Sequence, residues 1–289
     1  MDKWRLHPQG RRAGPVDGDD RYLPSQVSSI CRSIDERVQA LLQRPQEGKW
    51  PYLRLDATYV NVRKNGRVVS VAVIIACTVN SDGRRDIIGM CIGESEAKAF
   101  RLAFLLSLKE RGLEGVKLVI SDSHSGLKAA IRQVFCTSWQ RCRVHFMRNM
   151  LGRVSSASPS VVRAALQQVF VQTDEKSAHA TWREVAAQME KSFPAVTEMM
   201  DDAEADVLAY FGFPEAHRVK FHSTNTLERL NKEVKRRADV VGIFPNEDSI
   251  MRLLGAVQTE QNEEWLLQNH GGLVPCLHEE RWKQVIPVS

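Results

Sequence analysis

Acidic residues are missing from one long stretch of this chain. None of its 35 aspartates and glutamates lies between Ser123 and Thr173, whereas Lys128, Arg132, Arg141, Arg143, Arg148, Arg153 and Arg163 all do. The whole chain of 289 residues carries a net charge of only +5, so the bias is local. A sustained positive field of this kind attracts polyanions, nucleic acid above all; a basic surface without a partner is the plainer reading. Long apolar runs are missing too. The longest, "VVSVAVIIACTV" from Val68 to Val79, is short of the roughly 18–20 residues a membrane helix needs, so no membrane partner is expected. The opening "MDKWRLHPQGRRAGPVDGDD" has no apolar leader core, and none is expected to direct secretion. The six cysteines have no framework spacing, which suits reduced thiols in a cytoplasmic protein.

The patterning that is present divides the chain. Residues 1–20 are polar and rich in Gly and Pro and are expected to be disordered. Residues 21–50 hold a helix opened by Pro24 and Ser25, with apolar positions Val27, Ile30, Ile34, Val38 and Leu41, followed by the linker "PQEGKWP". Then comes a β-meander with strands expected near 52–63, 67–79 and 85–92, turned at Asn65-Gly66 and Asp82-Gly83. A helix from Ser95 to Gly112, the strand "VKLVISD", a second helix, a strand at "SWQRCRVHF" and a basic helix complete a βββ-α-β-α-β-α order. That order gives an α/β fold, a ribonuclease H-like five-stranded mixed sheet, with its first part at 51–157. Residues 158–220 read as an all-helical insertion, 221–265 as the rest of the core with a last catalytic helix, and 266–289 as a divergent tail.

Three carboxylates are candidates for one site. Strand alternation puts Asp56 on the face opposite Leu53, Leu55, Ala57 and Tyr59, beside Arg54 and Thr58. An ordinary solvent-face residue paired with Arg54 is the competing reading. Asp122 ends a buried strand, where ligands bind in open α/β sheets, or else caps the next helix. Glu228 stands three residues after Asn225, a capping-box spacing, on a helix with the apolar stripe Leu227, Leu230 and Val234. In the expected fold the strands of Asp56 and Asp122 are neighbours. Three clustered carboxylates suit a pair of divalent ions in phosphodiester cleavage.

"LDATYVNVR", "VISDSHSGLKAAI", "QRCRVHFMRNML" and "STNTLERLNKEVKRRADVVGIFPNE" resemble the Mutator-type transposases of bacterial insertion sequences, which are DDE recombinases. The resemblance runs from about Pro24 to Trp265. It implies Asp56, Asp122 and Glu228 as the catalytic triad, holding two Mg²⁺ or Mn²⁺ ions, with separations of 66 and 106 residues along the chain. It further implies DNA partners, namely terminal inverted repeats and target DNA, with self-association into a homo-oligomer on DNA and a place in the bacterial cytoplasm, at the nucleoid when DNA-bound. Cys142 and His145 match the family's C-x-x-H signature; a zinc site is disfavoured because no second pair lies at zinc spacing, leaving Cys136 as a possible third ligand. His145 and His124 are expected to support the site or contact phosphate, with Asn225 as helix cap. Arg141, Arg143, Arg148, Lys232, Lys235 and Arg236 are expected to bind DNA. Trp182 resembles a family tryptophan that stacks on a base; a core tryptophan beside Val185 and Met189 is the alternative. Family members carry a further upstream helix-turn-helix region, and "PSQVSSICRSIDERV" resembles only its last helix. The resemblance thus implies an N-terminally truncated chain, either with residual DNA-cutting activity or as an inactive DNA-binding remnant or regulator.

Overall fold

The computed structural model describes residues 23–80, 84–94, 98–155, 158–215, 217–218 and 225–269, with the side chains of 98, 225–228 and 268–269 left aside. The expected disorder of 1–20, the Asp82-Gly83 turn and the tail beyond 269 lie outside the described residues. Helix α1 (Pro24–Gln43) leads into strands β1 (Tyr52–Lys64), β2 (Arg67–Val79) and β3 (Arg85–Glu94). The β1–β2 hairpin closes where Asn65 and Gly66 both take positive φ, 51° and 75°, the mirror-image turn whose twist matches the strands it joins. Val71 to Thr78 of β2 are all buried, as expected of a strand covered on both faces.

Next come α2 (Lys98–Glu110), β4 (Leu118–Ser121), α3 (Ser125–Phe135), β5 (Ser138–Arg141) and α4 (Arg143–Leu151). Gly112 closes α2 at φ 95°, and a Cβ there would lie 2.4 Å from the Gln46 carbonyl oxygen. Helices α5 (Pro159–Phe170), α6 (Glu175–Met189) and α7 (Pro194–Leu208) and the 3₁₀ turn Ala209–Gly212 follow. The chain ends its described course in α8 (Asn225–Val241), β6 (Ile243–Phe244) and α9 (Glu247–Asn269).

The sheet order is β3-β2-β1-β4-β5, antiparallel through the meander and parallel from β1 to β5. It has six strands rather than the expected five, because the two-residue β6 pairs in parallel with β1 through Asn61 and Val62. Two apolar residues give no periodicity, so tertiary pairing alone reveals such a strand. β2 lines one edge of β1 along its full length. On the other edge β4 pairs with residues 52–54 and β6 with 61–62, which leaves a notch between them.

Three cores cover the sheet. On one face α2 and α3 pack over Leu53, Leu55, Ile74 and Ile88. The opposite face has two separate cores. At one end Tyr52 joins Phe146 and Met150 of α4 and the helices α5–α7, the expected insertion; at the other Val60 and Val62 join Leu230 and Val234 of α8 and Ile250 and Leu254 of α9. Tyr52, Val60 and Val62 alternate onto the same side of β1, so Arg54, Asp56 and Thr58 fall between two cores that do not meet.

Candidate active site

That gap is a cleft of about 580 Å³. Asp56 and Asp122 both line it, and each stands two residues beyond the last paired positions of β1 and β4, Arg54 and Ile120. The expectation that their strands are neighbours is met, and both carboxylates open into the same cleft. Asp122 does not cap α3. His124 holds that position, while Asp122 Oδ1 accepts the Ser123 N–H at 2.7 Å and its carbonyl accepts the His124 N–H at 2.9 Å.

The Asp56 side chain is 18% exposed. Its Oδ1 accepts the Ala57 N–H at 2.9 Å and lies 3.8 Å from His145 Nε2, and its Oδ2 accepts a hydrogen bond from the Asn231 amide. Burial raises the Asp56 carboxyl above the usual range, and the negative charge of Asp122 adds to this, against the pull of His145 and the Ala57 N–H. His145 is raised as well. Its hydrogen bond with Cys142 and the charge of Asp56 lift it to about 9 despite burial. Burial would raise the Cys142 thiol, but the His145 hydrogen bond and charge outweigh it and leave the thiol below its ordinary value. Cys142 is the N-cap of α4, with its backbone N–H on the Ser121 carbonyl at 2.7 Å, and its thiol and the His145 imidazole each shift the other's pKa. Cys136 sits at the C-cap of α3, beyond the far end of β5 from that pair. Among the described residues no group of three His, Cys, Asp or Glu side chains is placed to hold a metal, so zinc ligation finds no support there; Asp56 and Asp122 are the cleft's hard oxygen donors.

The third carboxylate lies outside the described side chains, and so does its Asn225 cap. The backbone of Glu228 belongs to α8, and Asn231 and Lys232, three and four residues further on, line the cleft with Lys235. Asn231 is the contact the sequence reading missed. Its signal was the one-turn spacing from Glu228, which puts both positions on the same side of a helix. Arg54, the alternative partner expected for Asp56, lines the cleft, where burial lowers its pKa.

The expected DNA-binding cations divide. Arg148, Lys232 and Lys235 are exposed and line the cleft. Arg143 does not: its guanidinium lies 3.7 Å above the Phe170 ring and 5.3 Å from that of Tyr210, packed on the insertion. Arg141 stacks 5.0 Å over Phe146 outside the cleft lining. Arg236 is tied to Glu233 at 2.6 Å on its own helix, as is Arg237 at 2.7 Å. His124 is not in the lining either, and burial lowers its pKa. Trp182 is corrected most plainly. It is 0% exposed, stacks on Phe146 with ring centroids 5.5 Å apart, and donates its N–H to the Met200 carbonyl. A ring enclosed in this way is a core residue and offers no face to a base.

Among the described residues no helix is long and apolar enough to cross a membrane. Residues 16–268 match the family described as "Transposase, Mutator family". The chain is 43% identical over 251 residues to the transposase for insertion sequence element IS1081 of Mycobacterium tuberculosis, covering 86% of this chain and 60% of that protein. It is 39% identical to the transposase for IS406 of Burkholderia multivorans, covering 84% and 63%. It is 37% identical to the transposase for IS256 in transposon Tn4001 of Staphylococcus aureus, covering 83% and 62%. The chain thus spans about three-fifths of the length of these relatives.

Proposed function

The chain belongs to the Mutator family of transposases, and from that premise we propose that its cleft cuts and joins DNA strands at the ends of an insertion sequence by DDE chemistry on a ribonuclease H-like fold. The observation that carries this reading is the opening of Asp56 and Asp122 into one cleft whose far wall is the helix bearing Glu228.

The donor set suits hard divalent cations. The residues that would hold them are Asp56, Asp122 and Glu228, and the burial and mutual repulsion that raise Asp56 are the conditions a cation relieves. When bound, a pair of Mg²⁺ or Mn²⁺ ions supplies charge stabilisation for in-line displacement at phosphorus. The chain's own residues do the rest. Asn231 and the Ala57 N–H hold the Asp56 carboxylate in one orientation. Arg148 on one wall and Lys232 and Lys235 on the other bind phosphates on either side of the scissile one. His145, 3.8 Å from Asp56, offers a further phosphate contact. The substrates proposed are the element's terminal inverted repeats and target DNA: water frees a 3′-OH at each end, and that hydroxyl then attacks the target strand. Copies of the chain assemble on that DNA.

The test uses the purified chain, supercoiled DNA and Mg²⁺ or Mn²⁺. Metal-dependent nicking is expected, together with its loss in Asp122→Asn while DNA affinity is kept. Nicking of equal rate by Asp122→Asn would overturn the reading.

A further inference from the structure

We propose that Trp139 is a positioning residue for Asp122, and that the helical insertion sets it through Asp206 and Lys128; the inference rests on Asp122 being a functional carboxylate of the cleft. The contacts form one continuous path. Asp206, near the end of α7, binds Lys128 Nζ of α3 at 2.6 Å. The same ammonium lies 4.3 Å from the ring centroid of Trp139 on β5. The Trp139 indole N–H donates to Ser121 Oγ at 2.8 Å, and the Ser121 hydroxyl donates to the Asp122 carbonyl at 3.0 Å. Ser121 is 1% exposed, so its hydroxyl has no solvent alternative.

The geometry matters because Asp122 stands just past the paired part of its strand, where ladder hydrogen bonds no longer fix it. Its orientation depends on what holds residues 121 and 122. Ser121 is held twice, by the Cys142 N–H on its carbonyl at 2.7 Å and by the indole on its hydroxyl. The indole is itself clamped by a cation from one side of the insertion boundary and, through it, by an anion from the other. A second clasp keeps α7 in register with β5: buried Gln140 donates to the Val207 carbonyl at 2.6 Å and accepts the Tyr210 N–H at 2.8 Å. The insertion is thereby joined to the strand that presents Trp139, and its seating reaches Asp122 through two side chains. Outer partners of this kind tune how well a ligand meets its cation.

The test is Mn²⁺ binding to the full chain, read from the EPR signal of free Mn²⁺, with a thermal melt for every variant. Trp139→Phe keeps the ring and its cation contact but removes the N–H; Ser121→Ala removes only the hydroxyl. Each is expected to raise the apparent Kd for Mn²⁺ by about tenfold, with the double variant no weaker than either alone. Asp206→Asn is expected to weaken binding to a lesser degree, and Asp206→Glu to restore it. Asp122→Asn is the reference and should abolish binding. If Asp122→Asn binds Mn²⁺ as the wild type does, the reading of the cleft fails and this inference with it. If Asp122→Asn abolishes binding but Trp139→Phe and Ser121→Ala keep the wild-type Kd, or if their effects multiply in the double variant, only the positioning role is overturned.

Discussion

Replacing Asp56 by asparagine should make the metal-free protein more stable while ending its activity. The two side chains have the same shape. The Ala57 N–H, 2.9 Å from Oδ1, keeps its acceptor, and the Asn231 amide can turn to meet a side-chain N–H. What changes is the charge. Burial and the Asp122 charge disfavour the ionised carboxylate more than His145 favours it, so its folded pKa lies above its unfolded one. The folded state therefore holds an extra proton between those two values. Stability is unaffected by this group below the ordinary carboxylate pKa of about 3.9 and falls as pH rises through the folded pKa. Removing the charge should gain about 0.5–2 kcal/mol at pH 8, the range common for a single stabilising substitution. Each kcal/mol corresponds to about 2–4 °C for chains somewhat shorter than this one. Melts in EDTA at pH 8 and near pH 4 measure it. The asparagine variant should melt higher at pH 8, the gap should close towards pH 4, and added Mn²⁺ should raise the wild type alone. A variant that melts below the wild type at pH 8 would refute the reasoning, because Asp56 would then be a net stabilising charge held by His145.

Other expectations follow from the same geometry. Trp182→Ala should cost about 3–5 kcal/mol in urea unfolding, as for a fully buried large ring; Trp182→Phe should stay folded with unchanged DNA affinity, and a folded Phe variant that loses DNA would return the residue to the DNA surface. Arg148→Ala, Lys232→Ala and Lys235→Ala should each flatten the salt dependence of DNA binding by about 0.9 in log–log slope. Arg143→Ala, packed on Phe170, should lower the melting temperature and leave that slope alone. Gly112→Ala should destabilise by at least about 1–3 kcal/mol, since φ 95° and the Gln46 carbonyl both exclude a Cβ.

What could be read in the sequence was whatever depends on neighbours along the chain. Asn65-Gly66 announced the β1–β2 hairpin because few other residue pairs accept positive φ twice. Alternation placed Asp56 on the side of β1 opposite Leu53 and Leu55, although on the face of those leucines burial stops at Leu55, and Ala57 and Tyr59 are exposed. The neighbouring strands that place Asp56 and Asp122 came together because the element order allows one sheet. Hidden from it were matters set by distant partners. The acid-free stretch suggested a uniform basic surface, yet Lys128 is neutralised by Asp206, 78 residues away, and Arg143 is drawn onto aromatic rings of the insertion. Charge counted along a chain says nothing about which side of a helix faces water. For Trp182 the two readings were split by the family resemblance and the helical spacing, and the spacing, which set it in line with Val185 and Met189, agrees with its burial.

The way the cleft is built has a mechanical consequence. One wall, α4, is anchored by Phe146 and Met150 in the core of the insertion; Arg148 rides on it. The other, α8, is anchored by Leu230 and Val234 in the core of the C-terminal helices; Lys232 and Lys235 ride on that. The two cores do not share a residue, so apolar packing does not fix the width of the cleft. Asp56 is reached from both sides, by His145 of α4 and by Asn231 of α8. It acts as a strut between walls that are otherwise stabilised separately. Asp56→Ala should therefore speed amide hydrogen exchange in both 143–151 and 229–241 while leaving the buried β2 segment 71–78 protected, because a wall that loses its tie to this carboxylate opens locally, without global unfolding. Asp56→Asn, which keeps its hydrogen bonds, should leave α8 protected. Faster exchange confined to one wall of the alanine variant would show that the walls are held apart by something other than this carboxylate.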